Sequence, residues 1–230
     1  MDGFLNINKP QGITSYDVIR AIKRMFRLKD KIGHTGTLDP LASGVLVICI
    51  GKATKTAQQF LDMEKEYVAT MKFGIVTDTD DIQGKILETH PVNPALFTEE
   101  RIRAILKEFE GEIDQVPPSV SAIHHKGRRL YQLHRSGRPV IPDPRKVTVK
   151  QISIEHMELP LLTFRVICTR GTYVRALCRD IGMKFGCGGT QEKLVRQRIG
   201  KFTLRESVTL EQIEKDGIGA HLLPVSCLLG

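Results

Sequence analysis

GHTGTLDPLASGVL, residues Gly33 to Leu46, runs straight into the apolar segment VLVICI (Val45 to Ile50) and sets one carboxylate, Asp39, in a glycine-punctuated turn ahead of it. A short apolar run bounded by turn residues reads as a buried strand. Gly33, Gly36 and Gly44 permit unusual backbone angles and close approach of a bulky ligand, while Pro40 fixes its own φ and biases Asp39 away from the helical region. An acid on a rigid loop beside a buried strand is well held, which makes Asp39 the candidate for chemistry. Asp-Pro is also a common turn dipeptide, so these residues by themselves leave a plain loop open.

On the N-terminal side lie a short strand (Phe4 to Asn8) and then Thr14 and Ser15, which offer an N-cap. Val18, Ile19, Ile22, Met25 and Phe26 follow at helical spacing, with basic residues on the opposite face. On the C-terminal side a short helix is expected over Ala53 to Leu61, and then a strand over Glu66 to Phe73 with Tyr67, Ala69, Met71 and Phe73 on one face. Thr98 starts a helix with an Ile102, Ile105, Leu106, Phe109 stripe that stops at Gly111. Strand-like runs at Val147 to Ile154 and Leu162 to Thr169 precede an amphipathic helix over Thr172 to Phe185, and Thr209 with Gln212 forms a capping box for a last helix. Strands and helices interleave irregularly, which predicts an α+β fold with a mixed sheet flanked by helices rather than a doubly wound domain. The stretch from Ser119 to Lys150, rich in basic residues, Gly and Pro (Gly127, Gly137, Pro139, Pro142, Pro144), has one short helix at most, around Arg129 to Arg135, and reads as a projecting insertion.

The 230 residues are enough for one good core. Five cysteines with no C-x-x-C pair suggest neither a zinc knuckle nor a disulfide framework, and they fit a reducing cytoplasm. No charged leader and no membrane-length apolar run is present, so a cytoplasmic protein without a membrane partner is expected. The net charge of +8 is segregated: Met1 to Lys31 carries +4, Ser119 to Lys150 +7 and Arg165 to Arg205 +8, whereas Ile32 to Pro118 carries −6. Three basic blocks that a fold could gather on one face describe a footprint for a polyanion, with nucleic acid the leading partner, although a charge run is often only a solvated face.

Several motifs fail. Gly51-Lys52 lacks the earlier glycine and the hydroxyl of a phosphate loop. Asp78, Asp80 and Asp81 with Gly84 lack the third ligand and the closing Glu of a calcium loop. His124 and His125 are adjacent and have no ligand partners. No cofactor or metal is therefore expected.

The opening GFLNINKPQGITS, then GHTGTLDPLASGVL, KEYVATMKFG, TDTDDIQG, VPPSVSAIHHKGRRLY and RGTYVRAL stand in the order of one family: the chain resembles the TruB family of tRNA pseudouridine synthases over essentially its whole length. The resemblance implies the pseudouridine synthase catalytic fold, with a largely antiparallel sheet and 119–150 as an RNA-binding thumb. It implies a cofactor-free isomerase that extrudes the T-loop uridine of tRNA (position 55), breaks its N-glycosidic bond, turns the base and rejoins it through carbon. Asp39 matches the catalytic aspartate, and Arg175 the arginine that pairs with it, an effect that ordinarily lowers a carboxylate pKa by about 1 to 3 units. Tyr67 matches the tyrosine that stacks on the base. His34 matches the histidine that contacts the RNA where the base has left, and Gly33, Leu194 and Lys9 fall among the substrate-binding positions. Without the resemblance, Tyr67 and Leu194 would read as ordinary core and Arg175 as one more phosphate contact.

The family usually has an aromatic residue and a lysine in the stretch that here reads SVSAIHHKG, so Val120 and His124 are departures. Bacterial members usually continue beyond the region of Leu222 to Gly230 into a small RNA-binding PUA domain. The expectation is a single catalytic domain over 1–230 without it, monomeric and of weaker tRNA affinity. A tRNA-folding chaperone that needs no catalysis is the alternative function. A relative acting on ribosomal RNA through a guide complex is disfavoured, because no docking extension is evident.

Overall fold

In chain order the elements of the computed structural model are β1 (Gly3–Lys9), α1 (Ser15–Phe26), β2 (Ile32–His34), β3 (Ser43–Ile50), α2 (Ala57–Asp62), β4 (Lys65–Phe73), β5 (Ile75–Thr77), β6 (Ile86–Thr89), α3 (Glu99–Lys107), β7 (Gly111–Gln115), β8 (His124–His125), β9 (Arg128–Arg129), α4 (Leu130–Arg135), β10 (Arg145–Glu158), β11 (Leu161–Cys168), α5 (Val174–Lys184), β12 (Gly189–Ile199), β13 (Phe202–Thr203), α6 (Leu210–Asp216) and α7 (Ile218–His221). The structure describes residues 1–121, 123–125, 127–138 and 140–229. Pro139 of the basic stretch, and the lysine of SVSAIHHKG, lie outside them. The architecture is α+β with largely antiparallel sheet, as expected. It divides into two units: Met1–Tyr67 with Leu194–Gly230, and Val68–Lys193.

In the first unit β3 is the central strand. It pairs antiparallel with β1 from Gly3↔Ile50 to Lys9↔Gly44, antiparallel with β2 through His34↔Ile48, and parallel with β12 at Val195↔Ser43 and Arg196↔Gly44. VLVICI is apolar without interruption because both of its faces are covered. Leu46, Ile48 and Ile50 join Leu5 and Ile7 of β1 against Val18, Ile19 and Ile22 of α1 and Ile213 of α6. Val45, Val47 and Cys49 face the other way, onto Phe4, Phe60, Ile199 and Phe202. Burial there pushes the Cys49 thiol up to about 12, so this cysteine is an inert small hydrophobe.

Thr14 is the N-cap of α1. Its hydroxyl accepts from the Asp17 N–H while its own N–H donates to Asp17, a reciprocal pair worth about 1 kcal/mol. Ser15 is thereby left for another task.

In the second unit β10 and β11 form a long hairpin from Val149↔Cys168 to Glu158↔Leu161, and β7 pairs with the first half of β10 from Arg145↔Gln115 to Val149↔Gly111. The last six residues of the stretch 119–150 thus belong to regular strand. The rest holds β8, β9 and α4, fastened by Leu130 N–H to Ile123 O (2.9 Å), Tyr131 N–H to Ser121 O (3.1 Å) and Ser119 Oγ to Asp78 O (3.0 Å). Phe73, Phe97 and Phe185 form an aromatic cluster between β4 and the ends of α3 and α5, with Phe97 stacked on Phe185 at 4.5 Å. Among the described residues no helix is long and apolar enough to cross a membrane.

Candidate active site

Asp39 lies half-buried in the loop between β2 and β3, in the first unit, and the backbone on each side of it is tied down. Leu38, directly before it, donates from N–H to Ser15 Oγ at 2.8 Å, and the same hydroxyl donates to Leu38 O at 3.1 Å. Pro40, directly after it, accepts from the Gly12 N–H at 2.8 Å, and Asp39 O accepts from the Ala42 N–H at 3.0 Å. From beneath, Arg196 of β12 donates to Val45 O (2.7 Å), Gly36 O (3.0 Å) and Thr37 O (3.4 Å). Gly44 makes this approach possible: it sits at φ 103°, and an added Cβ would overlap the Arg196 backbone. The backbone on both sides of Asp39 is thus fixed at several points.

Two buried cations back the loop. Arg196 is 2% exposed, and no carboxylate pairs with it among the described residues; its charge is satisfied by carbonyls alone. Lys9 is fully buried and donates to Pro10 O and Ile13 O, both at 2.8 Å. Desolvation brings the Lys9 pKa down to about 8, with nearby Asp39 pulling the other way and Arg196 adding to the depression. Lys9 therefore braces the turn before α1 instead of presenting its charge to solvent. His34, at the end of β2, has its pKa lowered by burial and then by Arg196, so its imidazole is neutral at pH 7. Its Nδ1 is buried with no hydrogen-bond partner among the described residues.

Tyr67, half-buried on β4, and Leu194, 8% exposed on β12, are on strands adjacent in the sheet order. Gly33 and His34 continue the pairing of β2 with β3 up to the start of the Asp39 loop. The first unit thus contains Lys9, Gly33, His34, Asp39, Tyr67 and Leu194.

Arg175 belongs to the second unit, in the first turn of α5, and is 5% exposed. Its guanidinium donates to Thr79 O (2.9 Å) and Val120 O (3.1 Å) and approaches Asp81 Oδ2 at 3.4 Å. One turn later Arg179 donates to Asp80 Oδ2 (2.9 Å), Asp180 Oδ1 (2.8 Å) and Val116 O (2.8 Å). Asp80 adopts φ 61° in this loop, and burial raises its pKa against the pull of Arg179 and Arg175. TDTDDIQG is therefore a loop in which Asp80 and Asp81 meet two arginines of one helix, while Asp78 accepts from the Lys85 N–H at 2.8 Å. Among the described residues no group of three or more His, Cys, Asp or Glu could hold a metal ion.

The basic block Arg165 to Arg205 thus differs from the expectation of an outward footprint. Arg175, Arg179, Arg196 and Arg198 are engaged internally, Arg198 with Glu64 at 2.6 Å and Glu66 at 3.0 Å. The physical reason is that an arginine can satisfy its five donors with backbone carbonyls and carboxylates, so it tolerates burial in a fold that supplies them.

A family model for the N-terminal domain of TruB family pseudouridylate synthases matches residues 23–174, and one for the tRNA pseudouridylate synthase B C-terminal domain matches residues 175–226. The chain belongs to the TruB family. The tRNA pseudouridine synthase B of Clostridium kluyveri is 46% identical over 225 residues, covering 98% of this chain and 76% of that protein. Its namesake in Burkholderia pseudomallei is 44% identical over 232 residues, covering 100% and 76%. Among solved structures, a Cbf5-Nop10-Gar1 complex matches with TM-score 0.74 at 33% identity over 97% of this chain, and an H/ACA RNP bound to a substrate RNA containing 2'-deoxyuridine with TM-score 0.72 at 30% identity over 97%. The chain spans about 60% of the length of those two solved chains.

Within this TruB-family framework three residues escaped the reading of the sequence. Ser15 passes as half of an N-cap, Arg196 as one of many surface cations, and Asp81 as part of a failed calcium loop. For Arg196 a signal exists in the buried-strand pattern with an arginine inside it, as in LVRQRI, and for Ser15 and Asp81 there is none.

Proposed function

We propose that this chain converts the T-loop uridine of tRNA, position 55, into pseudouridine, with Asp39 as the catalytic carboxylate. The observation that carries the reading is the half-exposed Asp39 between two clamped neighbours, in a chain whose relatives are named tRNA pseudouridine synthase B. The reaction is an isomerisation. The bond from ribose C1′ to base N1 breaks, the base turns, C1′ bonds to C5, the C5 proton leaves and N1 gains one, so nothing is oxidised or reduced. Asp39 adds to the base or the sugar carbon, or removes a sugar proton; each route uses the carboxylate carried on this clamped loop.

The uridine must first leave its loop, at a cost of a few kcal/mol. Stacking on Tyr67 returns about 1 to 3 kcal/mol of this, and the Tyr67 hydroxyl is suited to proton transfer at the base carbon. His34, neutral and flat, takes the place the base vacates, Leu194 lines the base pocket and Gly33 allows close approach of the strand. The resemblance assigns Arg175 the role of pairing with the acid, and the basic stretch 119–150 that of a clamp on the RNA. The enzyme acts as a monomer, without cofactor, in the cytoplasm.

Asp39→Asn tests the reading. Incubated with unmodified tRNA, the variant is expected to retain binding in a filter assay and to form no pseudouridine when the product is mapped by position. Substantial turnover would remove Asp39 from its role, and a chaperone that needs no catalysis would lose no folding activity through this change.

A further inference from the structure

Helix α1 has a solvent face with no task in the site described above. It buries Val18, Ile19 and Ile22 and turns Arg20, Lys23 and Arg24 outward, and Arg27 is exposed just past its end. Positions 20, 23, 24 and 27 share one stripe of a helix. The nearby acids are engaged: Asp17 holds Arg20 and the Thr14 cap, and Asp30 holds the N-terminal amine at 3.2 Å. Lys23, Arg24 and Arg27 have no carboxylate partner among the described residues. Tyr16, 62% exposed, lies under the Arg20 guanidinium at 5.6 Å and adds a flat aromatic surface at the start of the stripe.

The helix also begins at the catalytic loop, since Ser15 is the residue that clamps Leu38 beside Asp39. At 1.5 Å of rise per residue, the stripe lies roughly 8 to 18 Å along the helix axis from that clamp. Arg196 of the same unit is turned inward and Arg198 is paired with Glu64 and Glu66, which leaves this helix as a concentrated outward row of positive charge. Uncompensated cations in a row, with an exposed aromatic, fit a nucleic-acid backbone better than a merely solvated face.

We propose that the outer face of α1 is a phosphate-docking strip for the RNA strand next to the extruded nucleotide, with Lys23, Arg24 and Arg27 each taking one contact. The inference rests on the RNA substrate proposed above. The test is the combined variant Lys23→Gln, Arg24→Gln, Arg27→Gln in the full chain, measured for affinity to unmodified tRNA between about 50 and 200 mM salt. Three lost contacts lower the slope of log K against log salt by about 2 to 2.7, so the affinity gap to the parent narrows roughly 20- to 40-fold across that range. Turnover at saturating tRNA is unchanged while KM rises. A slope within about 0.5 of the parent overturns the strip. So does an equal fall in the control Arg103→Gln, Lys107→Gln on α3. Turnover by the parent chain judges the functional reading separately: a parent that isomerises tRNA beside a variant of unchanged slope removes the strip alone.

Discussion

Replacing Ser15 by alanine removes one hydroxyl that both accepts from and donates to Leu38, at a residue only 2% exposed. Leu38 is itself buried, so its N–H is left without a partner, at a cost of about 1 to 3 kcal/mol, and its C=O loses about 0.5 to 1.5 kcal/mol more. The sum, about 2 to 4 kcal/mol, corresponds to a fall in Tm of roughly 4 to 16 °C for a chain of this length. The second consequence is kinetic, because Leu38 precedes Asp39 directly and misplacing a reacting group by about 1 Å costs on the order of 100-fold. Urea denaturation and single-turnover isomerisation of tRNA, run on parent and variant, should show a destabilised protein whose rate falls about 10- to 100-fold while tRNA affinity holds. A stability loss under about 0.5 kcal/mol, or an unchanged rate, would refute the clamp.

Gly44→Ala adds a Cβ against the Arg196 backbone at φ 103° and should destabilise the chain by about 2 to 5 kcal/mol, read by denaturant melting; a neutral substitution would mean that β3 and β12 can separate at no cost. For Lys9 the sign follows from its depressed pKa: the unfolded lysine binds protons more tightly, so the buried charge penalises folding below about pH 8, and stability rises as pH climbs from there to the ordinary value of 10.5. The full span is roughly 3 kcal/mol. Lys9→Met should abolish that rise in denaturant midpoints taken across the window, and a parent with a flat profile there contradicts the burial argument. Arg175→Lys cannot reach Thr79 O, Val120 O and Asp81 together. It should cost about 2 kcal/mol or more and speed amide exchange in the loop 77–84, whereas unchanged exchange would show that the loop holds itself.

Much of the fold is written in short-range pattern. Thr14 and Asp17 cap α1, Thr209 and Gln212 cap α6, and the alternation Ala69, Met71, Phe73 shows which face of β4 is buried, because each depends only on residues within a turn or a strand of one another. The hardest element to read is β12, GTQEKLVRQRI. It buries Thr190, Gln191 and Arg196, and a buried polar residue mimics a surface strand when its partners are unknown. Those partners are remote: Arg196 finds its acceptors at Gly36, Thr37 and Val45, and the Gln191 backbone pairs with Asp80 and Ile82.

The site divides along the same line. Asp39, with its glycines and proline, is visible as a rigid acid-bearing turn because that chemistry is local, and the ordered motifs around it point to one family. Which cations serve the interior was beyond any count of charge along the chain. Arg20, Lys23, Arg24 and Arg27 look no different in sequence from Arg175, Arg179, Arg196 and Arg198. Only the folded backbone, by bringing carbonyls and carboxylates from distant segments around the second set and none around most of the first, decides which positive charges are consumed and which stay in water.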